Sequence, residues 1–98
     1  MATNLDPQRA ELHALFGAAN FGTARVLEIG SGDGRLAFRY ADTSPLVVGI
    51  DEQDEELASA RRNRPARLAT RLRFVRASAE ALPFRGDVFD IGLFAWSL

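Results

Sequence analysis

The residues with the clearest chemical potential lie in one stretch, Glu28-Ile29-Gly30-Ser31-Gly32-Asp33-Gly34-Arg35. Glycines spaced Gly-x-Gly-x-Gly let the backbone turn sharply, and without a Cβ they allow a ligand to lie directly on the main chain. Arg35 stands where a dinucleotide-binding fingerprint would place its last glycine. Glu28 ends a run that is otherwise apolar. A carboxylate there is costly to bury unless it accepts hydrogen bonds, from the loop's own backbone or from a cationic ligand. Asp51 ends the next apolar run, about 20 residues on, where a carboxylate can accept both hydroxyls of a ribose. A glycine loop alone can be a tight turn and nothing more, and Asp51 alone can be an ordinary helix cap. Jointly, the three features read as a nucleotide site.

The elements that must position these groups can be read from periodicity. Asp6 and Pro7 suit the N-cap and first position of a helix over 6–20, with Leu12, Leu15, Phe16 and Ala19 on one face. Arg25 to Gly30 is a short buried strand that breaks into the glycine turn. A helix follows from about Gly34, with Leu36, Ala37, Tyr40 and Ala41 inward, and Pro45 closes the connection. Leu46 to Asp51 is continuously apolar up to its last residue, as expected for a parallel strand covered on both faces. Gln53 to Asn63 is a polar helix with Leu57 and Ala58 inward. Leu72, Phe74 and Val75 mark a third strand, Ala79 to Leu82 offers one helical turn, Gly86-Asp87 is a turn, and Phe89 to Phe94 is a fourth strand. Strands alternating with helices predict βαβ units, a parallel sheet and right-handed crossovers.

In this setting the motifs resemble those of the class I S-adenosylmethionine-dependent methyltransferases. Val26-Leu27-Glu28-Ile29-Gly30-Ser31-Gly32-Asp33-Gly34 is similar to the family's first motif, and Val48-Gly49-Ile50-Asp51 to its acidic second-strand motif. Phe74 to Phe84 resembles the third-strand motif of the subgroup that includes the ubiquinone and menaquinone C-methyltransferases. Phe89-Asp90-Ile91-Gly92-Leu93-Phe94 resembles the fourth-strand motif. The resemblance runs over roughly residues 20 to 98, in the family's order and spacing. It implies a Rossmann-like α/β fold, strand order 3-2-1-4 with helices on both faces, in a single domain over 1–98 whose nucleotide-binding core spans 24–98.

The resemblance also implies a cofactor, S-adenosylmethionine, and roles for particular residues. Gly30, Ser31, Gly32 and Gly34 would cradle the methionine moiety and ribose. Glu28 would steady that loop and face the methionine ammonium, Asp51 would take the ribose hydroxyls, and Glu52 would lie beside the adenine edge. Ser78 and Ala79 would approach the adenine ring, and Phe94 to Trp96 would floor the methionine part. Where this chain has Ser78 the family commonly has Asp, which accepts a hydrogen bond from the adenine amino group. A serine lacks the charge assistance, which lowers affinity by about 1 kcal/mol.

The family's fold usually continues with three more strands, which carry the substrate pocket. The chain therefore reads as the cofactor-binding front half, either a fragment, a degenerate protein or half of an assembled whole. No catalytic base is identifiable, in keeping with chemistry that works by alignment. The rival function is a non-catalytic cofactor-binding module that needs a partner chain. An NAD-type half-domain is a weaker rival, opposed by Glu28 and the missing last glycine.

Composition narrows the remaining classes. The 98 residues carry a formal net charge of −1, which gives no general pull toward nucleic acid or membrane. There are no cysteines, so disulfides and thiolate metal sites are excluded, and a single histidine, His13, cannot supply a metal cluster. No stretch approaches the roughly 20 apolar residues that span a bilayer, and the expected location is the cytoplasm. Every basic side chain is Arg. Those between Arg61 and Arg76 have acidic neighbours at 51–56 and no interleaved aromatics, and so read as a solvated face. Trp96 reads equally as a pocket wall or as an apolar side chain without cover. The fourth strand, an apolar edge in the order 3-2-1-4, is expected to pair with a second copy as a homodimer.

Overall fold

The computed structural model describes residues 22–85 and 87–95. The helix expected over 6–20, together with His13, Gly86, Trp96 and Leu98, lies outside the described residues. Four strands form one parallel sheet in the order β3-β2-β1-β4: β1 Arg25–Ile29, β2 Leu46–Asp51, β3 Leu72–Arg76 and β4 Ile91–Phe94. The first strand lies at the centre, with Val26 facing Val47 on one side and Ile91 on the other. Helix α1 (Arg35–Tyr40) joins β1 to β2, and α2 (Asp54–Asn63) joins β2 to β3.

Alternation along the strands sorts their side chains to two faces. Val26, Val47, Leu72, Phe74 and Leu93 meet Leu36, Ala37 and Tyr40 of α1 and Leu57 and Ala60 of α2 in the main core. Leu27, Ile29, Val48 and Ile50 form a smaller cluster on the other face, packed against Val75, Ala77, Phe84 and Phe89. Among the described residues both helices lie on one face, and the helix expected over 6–20 lies outside them. The crossovers from β1 to β2 to β3 advance in one direction, and crossovers of one hand deliver their helices to the same side. The return from β3 to β4 crosses the other face without a helix, and Phe84 and Phe89 meet there edge-on at 5.2 Å.

Several boundaries differ from expectation. Ala58 is exposed and Ala60 is the buried partner of Leu57, because a three-residue step stays on one helix face whereas the next residue is turned about 100° away. The fourth strand begins at Ile91 because Asp90 is engaged at the start of β1. Its carboxylate accepts from the Arg25 backbone N–H at 2.8 Å, and its own N–H donates to the Arg25 carbonyl at 2.8 Å. The helical turn expected at 79–82 is a tight turn closed by Ala81 N–H donating to the Ser78 carbonyl at 3.1 Å.

The arginines after Leu57 tie the chain to itself. Arg61 and Arg64 donate to the carbonyls of Phe74 (2.6 Å) and Leu72 (2.8 Å), which caps the outer edge of β3. Arg67 pairs with the Asp42 carboxylate, and Arg71 donates to the Asp42 carbonyl. This agrees with the solvated-face reading and adds a structural task to it.

Candidate functional site

The glycine loop is anchored to the end of β2. The N–H groups of Gly30 and Ser31 both donate to the Ile50 carbonyl, each at 2.9 Å. Gly30, Gly32 and Gly34 all have positive φ, which is strained for any residue with a Cβ. At Gly34, which starts α1, an added Cβ would also lie 2.9 Å from the Phe38 ring and 3.0 Å from the Phe74 ring. The Ser31 side chain turns inward, and its buried oxygen has no hydrogen-bond partner among the described residues. It rests on Gly49 of β2, where a Cβ would come within 2.7 Å of the Ser31 Cβ. Gly49 thus seats the glycine loop, a role that the sequence reading did not single out. The signal was present, since a glycine inside a strand often marks a close backbone approach.

The two acidic residues at the ends of the apolar runs occupy different surroundings. Glu28 is fully buried within β1 and accepts a hydrogen bond from the Tyr40 hydroxyl at 2.6 Å. It belongs to the helix-covered face, beneath the loop. Asp51 is half-buried at the rim. Its Oδ2 accepts from the Gly32 N–H and its Oδ1 from the Gln53 N–H, both at 2.9 Å. Asp51 therefore holds the loop and the entry to α2 together.

Beside Asp51 opens a cleft of about 210 Å³ at the carboxyl ends of β1, β2 and β3. It is lined by Ile29, Gly30, Ile50, Asp51, Glu52, Gln53, Ala77 and Ala79. Of the residues singled out from sequence, Gly30, Asp51, Glu52 and Ala79 line it, and Gly32 reaches its rim through Asp51. Ser78 does not line it. Its hydroxyl instead accepts from the Glu80 N–H at 3.1 Å, inside its own turn. Ala77 takes that place on the wall and was not named from sequence. Its N–H donates to the Asp51 carbonyl at 3.1 Å, fixing the wall to β2. Phe94 ends β4 opposite Ile29, at the same end of the sheet, and is 55% exposed. Among the described residues, no group of three or more His, Asp or Glu is arranged to hold a metal ion, and no helix is long and apolar enough to cross a membrane.

An open parallel sheet binds its ligand at the carboxyl ends of strands flanking a change of direction. Here that point lies between β1 and β4, beside the glycine loop that follows β1, and the loop reaches across to Asp51 at the end of β2. The methyltransferase domain family matches residues 26–98, from Val26 in β1 through the other three strands. The chain belongs to this family. The methyltransferase domain is 41% identical over 68 residues to a demethylmenaquinone methyltransferase of Thermus thermophilus, covering 67% of this chain and 30% of that protein. It superposes on the YcgJ protein of Bacillus subtilis with a TM-score of 0.74 at 29% identity, covering 88% of this chain and 37% of that one. An S-adenosylmethionine-dependent methyltransferase of Mesorhizobium loti gives a TM-score of 0.72 at 26% identity, covering 95% and 39%. The methyltransferase domain spans a quarter to a third of the length of the curated relatives it matches.

Proposed function

We propose that this chain binds S-adenosylmethionine, and the product S-adenosylhomocysteine, across the glycine loop and the Asp51 cleft, and that the protein uses this donor to methylate an acceptor. The Asp51 carboxylate carries the reading. Two N–H groups occupy two of its roughly four lone-pair sites, which leaves acceptor capacity at the cleft for a pair of ribose hydroxyls. Apolar Ile29, Ile50, Ala77 and Ala79 suit the faces of a purine. The backbone of Gly30, Gly32 and Gly34 suits the methionine part, with Ser31 and Glu28 supporting the loop from below and Phe94 flanking it. Glu52 would lie at the purine edge. When bound, the donor supplies an electrophilic methyl on its sulfonium, and the protein's task is to align it with an acceptor. The likeness to the S-adenosylmethionine-dependent methyltransferase of Mesorhizobium loti supports this donor.

Calorimetry of the chain with S-adenosylmethionine, S-adenosylhomocysteine and NAD tests the reading. Binding of the first two is expected, and replacing Asp51 with Ala should weaken it by about 1.5–3 kcal/mol, the scale of a charged hydrogen bond. Tighter binding of NAD would overturn it.

Two further elements belong to the proposal. A cytoplasmic setting is supported by the donor itself, since its fixed sulfonium charge opposes passage through a bilayer. A homodimer through the β4 edge is supported by a contrast between the two edges of the sheet. The β3 edge is capped by Arg61 and Arg64, whereas β4 is the outer strand on the other side among the described residues, with Phe94 exposed. Light scattering over a concentration series, with Phe94→Lys as comparison, tests it. A wild type that stays monomeric at high concentration counts against it.

A further inference from the structure

We infer that Arg61 and Arg64 bar strand addition at the β3 edge of the sheet, and that without their guanidinium groups this edge pairs with a second copy of the chain. Backbone direction alternates along β3. The Arg71 carbonyl accepts from the Val47 N–H at 2.7 Å, and the Ala77 N–H donates to the Asp51 carbonyl at 3.1 Å. Residues 71, 73, 75 and 77 thus turn their backbone groups toward β2, and Leu72, Phe74 and Arg76 turn theirs away from the sheet. Such an outward row of N–H and C=O groups is a template for another strand. An added strand would lie about 4.7–4.9 Å away and donate its amides to these outward oxygens. Two successive ones are already taken, that of Phe74 by Arg61 at 2.6 Å and that of Leu72 by Arg64 at 2.8 Å. Both donors are charged, so a neutral amide would have to displace a stronger hydrogen bond than it makes. They also share one support. Arg61 lies in the last turn of α2 and Arg64 directly follows the helix, which Leu57 and Ala60 anchor in the core. The three-residue step along α2 matches the two-residue step between outward carbonyls of β3.

The test is the full chain carrying Arg61→Ala and Arg64→Ala, studied by light scattering over a concentration series and by hydrogen exchange. Alanine is well tolerated in a helix, so α2 is expected to persist. At the highest concentration the average mass of the double variant should exceed that of the wild type by about twofold or more, whatever state the wild type adopts, because the opened edge joins each unit to another. The outward amides of Leu72, Phe74 and Arg76 should gain protection as the concentration rises. A folded double variant with the mass of the wild type overturns the inference. So does a heavier one in which those three amides gain no protection, since its association then lies elsewhere. Arg64→Ala alone uncovers only the Leu72 carbonyl and decides the matter if the double variant does not fold. A smaller rise in mass with protection at Leu72 supports the inference, and an unchanged mass overturns it.

Discussion

The Tyr40 hydroxyl donates a 2.6 Å hydrogen bond to the Glu28 carboxylate, and both side chains are fully buried. The bond links the last residue of α1 to the central strand, beneath the loop that α1 follows. A hydrogen bond to a charged group is worth about 1.5–3 kcal/mol, and a buried acceptor stripped of its donor bears the desolvation penalty as well. Tyr40→Phe should therefore lower unfolding free energy by about that amount in urea titration. Glu28→Gln keeps a carbonyl acceptor for Tyr40 and should lose less. A Tyr40→Phe variant as stable as wild type would remove this link from the account of the fold.

The contact between Ser31 and Gly49 predicts coupling between two residues on different elements. Gly49→Ala drives a methyl to within 2.7 Å of the Ser31 Cβ, and overpacking of this kind costs about 1–3 kcal/mol. Removing the Ser31 side chain in Gly49→Ala/Ser31→Gly should recover a large part of the loss, which appears as an interaction energy in a double-mutant cycle. Additive losses would mean that the strain falls on Phe74, which lies 3.0 Å away, rather than on the loop.

The loop glycines should not be equivalent. At Gly32 an added Cβ meets only Glu56 Oε1 at 3.5 Å, an ordinary contact, so Gly32→Ala bears mainly the backbone penalty of about 1–2 kcal/mol. Gly34→Ala adds collisions with the Phe38 and Phe74 rings to that penalty and should be the more destabilising. Thermal melts of the two variants order them directly.

Stability should also respond to acid. The side-chain hydrogen bond from Arg25, reinforced by its backbone N–H, holds the Asp90 carboxyl below the ordinary carboxylate range. A similar bond from Arg67 depresses Asp42. A carboxyl depressed in the folded state stabilises it fully above the unfolded value of about 3.9, and the contribution fades as pH falls through the folded value. Unfolding free energy should drop below about pH 4, with a shallower slope in Asp90→Asn and in high salt. An identical acid slope in that variant would remove Asp90 from the account.

Much of this arrangement was legible in the sequence because its signals are local. The glycine turn, the continuous apolar run of β2 and the terminal Asp51 each declare a backbone geometry on their own. The β3-β2-β1-β4 order followed from the alternation of strands with helices and the resemblance it placed. The remainder depended on contacts between elements. Tyr40 was read as an apolar inner-face residue, and nothing near it in sequence reveals that its hydroxyl meets Glu28. Gly49 gains meaning only when Ser31 lies on it. At Ser78 the resemblance pointed toward the ligand, but a hydroxyl within reach of a backbone N–H two residues on takes that local bond, and Ala77 faces the cleft in its place.

The central position of β1 has a consequence for the order in which the fold assembles. Its pairing with β2 closes a short crossover, but its pairing with β4 sets Val26 against Ile91, and the adjoining Arg25 and Asp90 are 65 positions apart. Closing a loop about three times longer adds about 1 kcal/mol of entropic cost, and β4 repays it with a four-residue ladder. The first three strands can thus form a nucleus to which β4 docks late. In native-state hydrogen exchange the amides of β4 should open at lower free energy than those of β1 and β2, without requiring the rest of the sheet to unfold.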